Sequence, residues 1–469
     1  MLFVELRFFL FFVIVFGVYW CLRNNSARKF WLTLASYVFY AAWDWRFLSL
    51  VIFCSVANYL LALQIERSPD SSSKRSWALT CAVIVNLSIL FFFKYFNFFA
   101  ESLVDLATLL GAQVNPTTLN IVLPVGVSFF TFQAMSYVID VYRRVIPAEP
   151  RFLDVAFYKA FFPQLVAGPI VRAADFMPQM KGARRWRDVP ATSCILLFTV
   201  GFIKKACISD NLAPIVDQVF AAPATFTTES LIAGVWLYAV QIYCDFSGYT
   251  DMAIAAAGLL GYRFVKNFDA PYLAASITAF WRRWHMSLSS WLRDYLYIPL
   301  GGNRRGLWMQ RRNLMLTMLL GGLWHGASYN FVIWGFLHGS ALVINGLLPK
   351  SSNNAKRMAW ITGFLGVLLT FWWVSLTWIF FRATDISTAL EMAKTYITLQ
   401  STGTKSLDIP AWPILGGLLL VHWLTYRYRL LEAIQRLPLP IVAVGVGAAA
   451  AVALGFVPTG YRPFIYFQF

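Results

Sequence analysis

The chain alternates long apolar runs with short polar ones. A bilayer's hydrocarbon core takes about 20 apolar residues per helix, and uncharged windows near that length occupy 47–65, 76–93, 358–381 and 437–461. The longest, 313–349, has no Asp, Glu, Lys or Arg and holds two helices' worth of residues. Shorter runs at 8–22, 30–43, 189–203 and 230–244 predict further spans whose ends snorkel. The segment 117–139 is apolar but interrupted by Pro124 and Gly126, which predicts a kink. The segment 152–172, with Pro163, Gly168 and Pro169, predicts a re-entrant piece, allowed only where protein shields its backbone from lipid.

These windows predict an all-α polytopic membrane protein of about 10–12 transmembrane helices, with re-entrant and interfacial helices in addition. Positive charge sets the orientation. Basic clusters at Arg23/Arg28/Lys29, Arg143/Arg144, Lys181/Arg184/Arg185/Arg187, Lys356/Arg357 and Arg427/Arg429 read as cytoplasmic, while 95–142 and 206–262 lack Lys and Arg. That places the N-terminus outside. Lys204 and Lys205 fit this topology poorly, because their helix should end on the far side. The start MLFVELRFFLFF lacks a basic leader followed by a small-residue cleavage site, so it reads as a first membrane helix. No repeat or long polar linker divides residues 1–469, which predicts a single integral membrane domain.

Composition agrees. Of 469 residues, 59% are hydrophobic and 13% charged, roughly half the charge of a soluble domain. The formal charge of +17 is spread in loop clusters between apolar runs, not in the basic stripe of a nucleic-acid binder, so no nucleic-acid partner is expected. The six cysteines mostly sit singly in apolar runs and form no CxxC pair, which reads as small buried hydrophobes. No GxSxG elbow, phosphate-binding GxxxxGK[ST] loop or closely spaced histidine pair is present, and no metal site is predicted.

With four histidines, each can be weighed. His325, in LLGGLWHGASYN, lies about 20 Å along a helix counted from Arg312. Flanking Gly321, Gly322 and Gly326 permit close backbone approach or a helix break. An ionisable group at that depth is either a neutral general base or a hydrogen-bonded structural residue. His338, on a returning helix, and His422 read as packing or hydrogen-bonding residues. His285 falls in ITAFWRRWHMSLSSWLRDYLYIPLGGNRRG. Helical spacing there puts Phe280, Trp284, Leu288, Trp291 and Tyr295 on one side, and Arg282, His285, Ser289 and Arg293 on another. The expectation is one continuous helix lying at the membrane surface. Residues 281–312 carry seven Arg and one Asp: positive-inside anchoring, or a cationic mouth holding donor phosphates on Arg282, Arg283 and Arg293. GGNRRG adds a Gly-rich turn that could cradle a phosphate. In QIYCDFSGYTDMA, Asp245 and Asp251 near a span end should pair with Arg or cap a helix.

DFSGYTDMAI (245–254), FWRRWHMSLSSWLRDYLYIPLGGNR (280–304) and MLLGGLWHGASYNFVIWGFLHG (318–339) resemble the membrane-bound O-acyltransferase (MBOAT) family. The nearest branch is that of bacterial polysaccharide O-acetyltransferases serving alginate or cellulose. Further stretches in the same order, such as PVGVSFFTFQAMSYVIDVYR (124–143) and FFPQLVAGPIVR (161–172), extend the resemblance over nearly the whole chain. It implies an MBOAT fold around a central tunnel, with His325 as the family's membrane-embedded histidine and His285 as its second. Substrate- or donor-binding positions would be Arg282, Arg283, Arg293, Ser289, Trp324, Asn330 and Asp245. The resemblance further implies acetyl-CoA as donor substrate with no resident cofactor, and a multi-pass location in the bacterial inner membrane. It implies as partners a periplasmic SGNH-type acetyltransferase and a polysaccharide synthesis and secretion complex. The competing class is a transporter or channel moving an acetyl donor or glycan without acyl transfer, and a weaker one is a scaffold.

Overall fold

A computed structural model of the chain describes residues 1–112, 118–182, 184–348, 359–458, 460 and 464–465, side chains of 359–362 excepted. The Lys356/Arg357 cluster lies outside these residues. Among them the secondary structure is helical, with one isolated bridge, Phe226 to Lys405, and no strand. In chain order the helices are α1 Leu6–Cys21, α2 Asn25–Asp44, α3 Leu48–Arg67, α4 Ser73–Leu90, α5 Phe96–Leu109, α6 Val127–Tyr142, α7 Phe152–Ala160, α8 Phe162–Leu165 and α9 Ala173–Met180. They continue as α10 Ala191–Phe202, α11 Asp210–Ala221, α12 Thr228–Leu259, α13 Ile277–Trp281, α14 Met286–Leu292, α15 Gly306–His325, α16 Tyr329–Leu347 and α17 Ala359–Arg382. The last are α18 Ile386–Thr398, α19 Ala411–Tyr428, α20 Leu430–Ile434 and α21 Leu439–Gly455.

Among the described residues, six helical stretches are long and apolar enough to cross a membrane: Asn25–Arg67, Ser73–Leu109, Ala191–Ala221, Thr228–Leu259, Tyr329–Leu347 and Gly363–Arg382. Leu6–Cys21 and Leu439–Gly455 are shorter apolar helices. The stretch Asn25–Arg67 joins two 20-residue helices, α2 and α3, each about 30 Å long, the depth of the hydrocarbon core. Counting helix by helix therefore moves the total toward the sequence expectation. The protein is a multi-pass membrane protein.

Two compact units divide the chain: residues 1–194 with 253–265, and 195–252 with 266–469. In the first, α6 is buried along nearly its whole length. The kink expected in 117–139 is instead a helix start. Gly126 adopts a left-handed φ of 75°, and a Cβ there would press within 3.2 Å of Val166 Cα, so only glycine fits. The predicted re-entrant piece is broken into α7, the four-residue α8 and irregular backbone up to α9. Its polar groups are answered inside the protein. Lys159 Nζ donates to Phe130 O at 3.0 Å, Tyr158 Oη donates to Val171 O at 2.9 Å, and Phe162 N–H donates to Ser36 Oγ at 3.0 Å. This is the shielding that irregular backbone needs at membrane depth.

In the second unit, α15 and α16 form a tight hairpin. The backbones meet at glycines: a Cβ on Gly322 would lie 3.2 Å from Gly335 Cα, and one on Gly335 would lie 3.0 Å from Met318 C. Small residues at such crossings let helices approach without a side chain between them. Helices α10 and α12 cross likewise, Gly201 and Gly248 each placing a would-be Cβ 2.6 Å from the other's carbonyl oxygen. Just beyond, Ile203–Ser209 widens into a π-helical turn that brings Lys204 and Lys205 toward α12.

In that turn both lysines are paired with carboxylates. Lys204 pairs with Asp251 at 2.7 Å, and Lys205 lies between Asp245 at 2.5 Å and Asp210 at 2.6 Å. The carboxylates pair with lysine, not with the arginine expected. Intramembrane charges are costly alone and tolerated in pairs.

Candidate active site

Everything in the site belongs to the second unit. His325 is the last residue of α15, and Gly326 follows in extended conformation (φ −158°, ψ 149°). Phe331 occupies the space where a side chain on residue 326 would stand. The glycine therefore permits both helix termination and the return of α16. Both alternatives raised by the flanking glycines, close approach and a break, occur here. His325 is 3% exposed and edge-packed by Trp324 at 5.0 Å, Trp334 at 5.0 Å and Phe381 at 5.2 Å between ring centres.

His285 departs from the expectation of a continuous surface helix. The helix stops at Trp281 and restarts at Met286, and His285 itself takes a left-handed conformation (φ 41°, ψ 54°). For a non-glycine residue this costs about 1–2 kcal/mol and needs support. Asn267 supplies it: its carbonyl accepts from Met286 N–H at 2.9 Å, and its Oδ1 accepts from Ser287 N–H at 3.0 Å and Ser287 Oγ at 2.9 Å. The reversal turns His285 away from the arginine face and inward, where it is fully buried. Phe246 of α12 packs on it at 4.6 Å, Trp324 at 6.0 Å and Phe268 at 6.4 Å. Burial pushes its pKa down to about 3, so the ring is neutral.

The two imidazoles thus share one aromatic enclosure, 6.5 Å between ring centres. At that separation a small group can lie within about 3 Å of a nitrogen on each ring. Two buried polar atoms of α16 have no hydrogen-bond partner among the described residues: Nε1 of Trp334, whose ring packs on His325, and Asn330 Oδ1. Asn330 and Trp334 are four residues apart and share one face of α16, and Asn330 Nδ2 is held by Ala383 O at 2.9 Å. Each unmade bond costs about 1–3 kcal/mol.

The other predicted positions divide. Arg282 and Arg293 are exposed, and Arg293 pairs with its neighbour Asp294 at 2.7 Å. Arg283 donates to Tyr426 Oη at 3.3 Å and lies 5.2 Å over that ring, while its buried Nη1 has no partner among the described residues. Ser289 donates to Trp284 O at 3.3 Å. Asp245 is committed: Oδ1 to Lys205, and Oδ2 accepting from Ile465 N–H at 2.8 Å. It adjoins the site through Phe246, the next residue. His338 is held on both nitrogens, Nδ1 accepting from Trp281 Nε1 at 3.3 Å and Nε2 against Thr377 Oγ1 at 3.0 Å. Because Nδ1 accepts, Nε2 carries the proton and donates to Thr377. His422 packs on Tyr243 at 5.0 Å.

Sequence reading did not find Asn267, Phe246, Trp334, Phe381 or Lys205 as parts of this site. Nothing in spacing marks them, since each comes from a different element.

Over residues 141–383, which include both histidines, the chain matches the model of MBOAT, the membrane-bound O-acyltransferase family. The chain belongs to that family. It is an O-acyltransferase. Among similar MBOAT relatives is the probable alginate O-acetylase AlgI of Azotobacter vinelandii, 43% identical over 402 residues, or 85% of this chain and 78% of that one. The Pseudomonas aeruginosa protein of the same name is 43% identical over 400 residues, 85% and 75% respectively. The peptidoglycan O-acetyltransferase of Helicobacter pylori is 36% identical over 437 residues, 86% and 81%.

Proposed function

We propose that this MBOAT protein takes acetyl from cytosolic acetyl-CoA and passes it across the inner membrane for O-acetylation of an extracytoplasmic polysaccharide, alginate or cellulose. The observation that carries the reading is the pair of buried imidazoles in one enclosure, with the unpartnered Trp334 Nε1 beside His325. The relatives act, by name, on alginate and peptidoglycan, which supports a glycan as the ultimate acceptor.

His325 accepts the proton of the acceptor hydroxyl as its oxygen attacks the thioester carbonyl. The carbon–sulfur bond breaks, and the departing CoA thiolate recovers that proton from the imidazolium. An imidazole in its neutral form can take that proton. His285 hydrogen-bonds the carbonyl oxygen as negative charge develops there, a role typically worth about 10²–10³ in rate. Arg283, with Arg282 and Arg293 outside it, meets the donor's phosphates. A periplasmic SGNH-type acetyltransferase within a polysaccharide synthesis and secretion complex then delivers the acetyl group to the polymer.

A channel would move the donor with its thioester intact. The deciding experiment supplies acetyl-CoA to the purified protein with its partner and measures free CoA. Acceptor-dependent release supports transfer; movement of intact acetyl-CoA without release would replace this reading by the transporter.

A further inference from the structure

In the first unit two arginines are held together without a carboxylate. Arg28, 8% exposed, donates from Nε to Leu22 O and from Nη1 to Arg184 O, both at 2.7 Å. Its guanidinium lies 5.0 Å over the Tyr19 ring and 5.1 Å over that of Trp20. The Arg184 guanidinium lies 5.3 Å over Tyr262. Its stem rests on Gly261, whose φ is +84° and whose missing Cβ would sit 3.2 Å from the Arg184 Cβ and Cγ. Arg184 Nε is buried and has no hydrogen-bond partner among the described residues. Among the described residues neither guanidinium is in an ion pair, whereas the adjoining Lys29 is paired with Asp154. Arg28 is buried and Arg184 half-buried beside it; leaving a buried cation uncompensated costs several kcal/mol, so the arrangement calls for an anion.

The surroundings say which kind. The segments 22–28 and 181–188 are tied together by Asn25 Nδ2 donating to Met180 O at 3.0 Å. They carry Arg23, Arg28, Lys181, Arg184, Arg185 and Arg187 against Asp188 alone. Trp186, 49% exposed, stands edge-on to Phe16 at 5.6 Å and to Trp20 at 5.4 Å on α1. Tryptophan in such a place belongs at the headgroup level of a bilayer. Further along α1, Leu10, Val13 and Ile14 are all at least 60% exposed, an apolar strip suited to acyl chains. By the positive-inside rule the patch faces the cytoplasm, the side where basic pockets meet anionic headgroups.

We propose that Arg28 and Arg184, rimmed by Lys181, Arg185, Arg187 and Trp186, form a binding site for the phosphate of an anionic phospholipid of the inner leaflet. The exposed part of the half-buried Arg184 guanidinium meets a phosphate oxygen, the outer cations add long-range attraction, and α1 receives the chains.

The test uses the full-length protein purified in neutral detergent. Its thermal midpoint is followed as phosphatidylglycerol, phosphatidylcholine or inorganic phosphate is titrated in. A saturable rise with phosphatidylglycerol alone is expected. Arg184→Gln should weaken that response about fivefold or more. Because Arg184 makes no side-chain hydrogen bond in the free protein, this variant should fold, whereas Arg28→Gln also loses two backbone contacts. An equal rise with phosphatidylcholine, an equal rise with inorganic phosphate alone, no rise at all, or an undiminished response in Arg184→Gln would each overturn the lipid site.

Discussion

Replacing Lys205 by methionine should destabilise this protein more than replacing Asp245 by asparagine, although the two residues form one ion pair. Lys205 lies between two buried carboxylates, Asp245 at 2.5 Å and Asp210 at 2.6 Å, and pairs with both. Methionine fills a similar volume but leaves both carboxylates facing each other, 1% and 7% exposed. Breaking a buried pair from one side costs about 3–5 kcal/mol. Asp245→Asn leaves Lys205 its second partner, Asp210, and keeps an amide oxygen to accept from Ile465 N–H. Its loss is that of one charge-assisted bond, about 1–2 kcal/mol. For a body of about this size each kcal/mol moves the midpoint by roughly 2–4 °C. Lys205→Met should therefore fall by about 6–20 °C and Asp245→Asn by about 2–8 °C. Intrinsic fluorescence of detergent-purified protein during heating reads both. Burial makes the ranking insensitive to salt. Equal midpoints, or the reverse order, would refute the account of this cluster as a buried charge network centred on Lys205.

Three further outcomes follow from the site. Asn267→Ala removes the acceptor that holds Ser287 and supports the left-handed His285, so turnover should fall about tenfold or more with the donor KM nearly unchanged, read by CoA release. Gly335→Ala forces a methyl group against Met318 of α15, costing about 1–3 kcal/mol in the same unfolding assay. Native His285 stays neutral down to about pH 3, whereas the unfolded chain takes up a proton below its ordinary value of 6.5. Its contribution to stability is therefore present above pH 6.5 and lost as pH falls. Between pH 7 and 5 this amounts to about 2 kcal/mol, and His285→Gln should show a correspondingly shallower decline over that range.

Periodicity and charge alone disclosed the helical, membrane-spanning class, because a bilayer allows few alternatives to a run of about 20 apolar residues. They also singled out His325 as a candidate, since an ionisable residue in a long uncharged window stands out, and its glycines allowed for close approach or a break. The resemblance to the MBOAT family rested on the motifs around both histidines. What stayed hidden was set by tertiary contacts. The apolar and polar positions of 280–295 fit one helix by spacing, yet Asn267, in a loop of no special pattern, stabilises a reversal at His285 and moves that ring from the arginine face to the interior. Lys204 and Lys205 look misplaced in sequence because the π-helical turn that aims them at Asp251, Asp245 and Asp210 has no compositional mark. Asp245 belongs to that network, while its neighbour Phe246 is the residue that touches His285.

The most direct measurement is acetyl transfer by His325→Ala, inserted and purified in the same amount as the unaltered protein and supplied with acetyl-CoA and its partner. Loss of the general base should lower acceptor-dependent CoA release by about 10²–10⁴-fold while the thermal midpoint stays within a few degrees. Undiminished release from that variant would contradict the assignment of the chemistry to this buried ring.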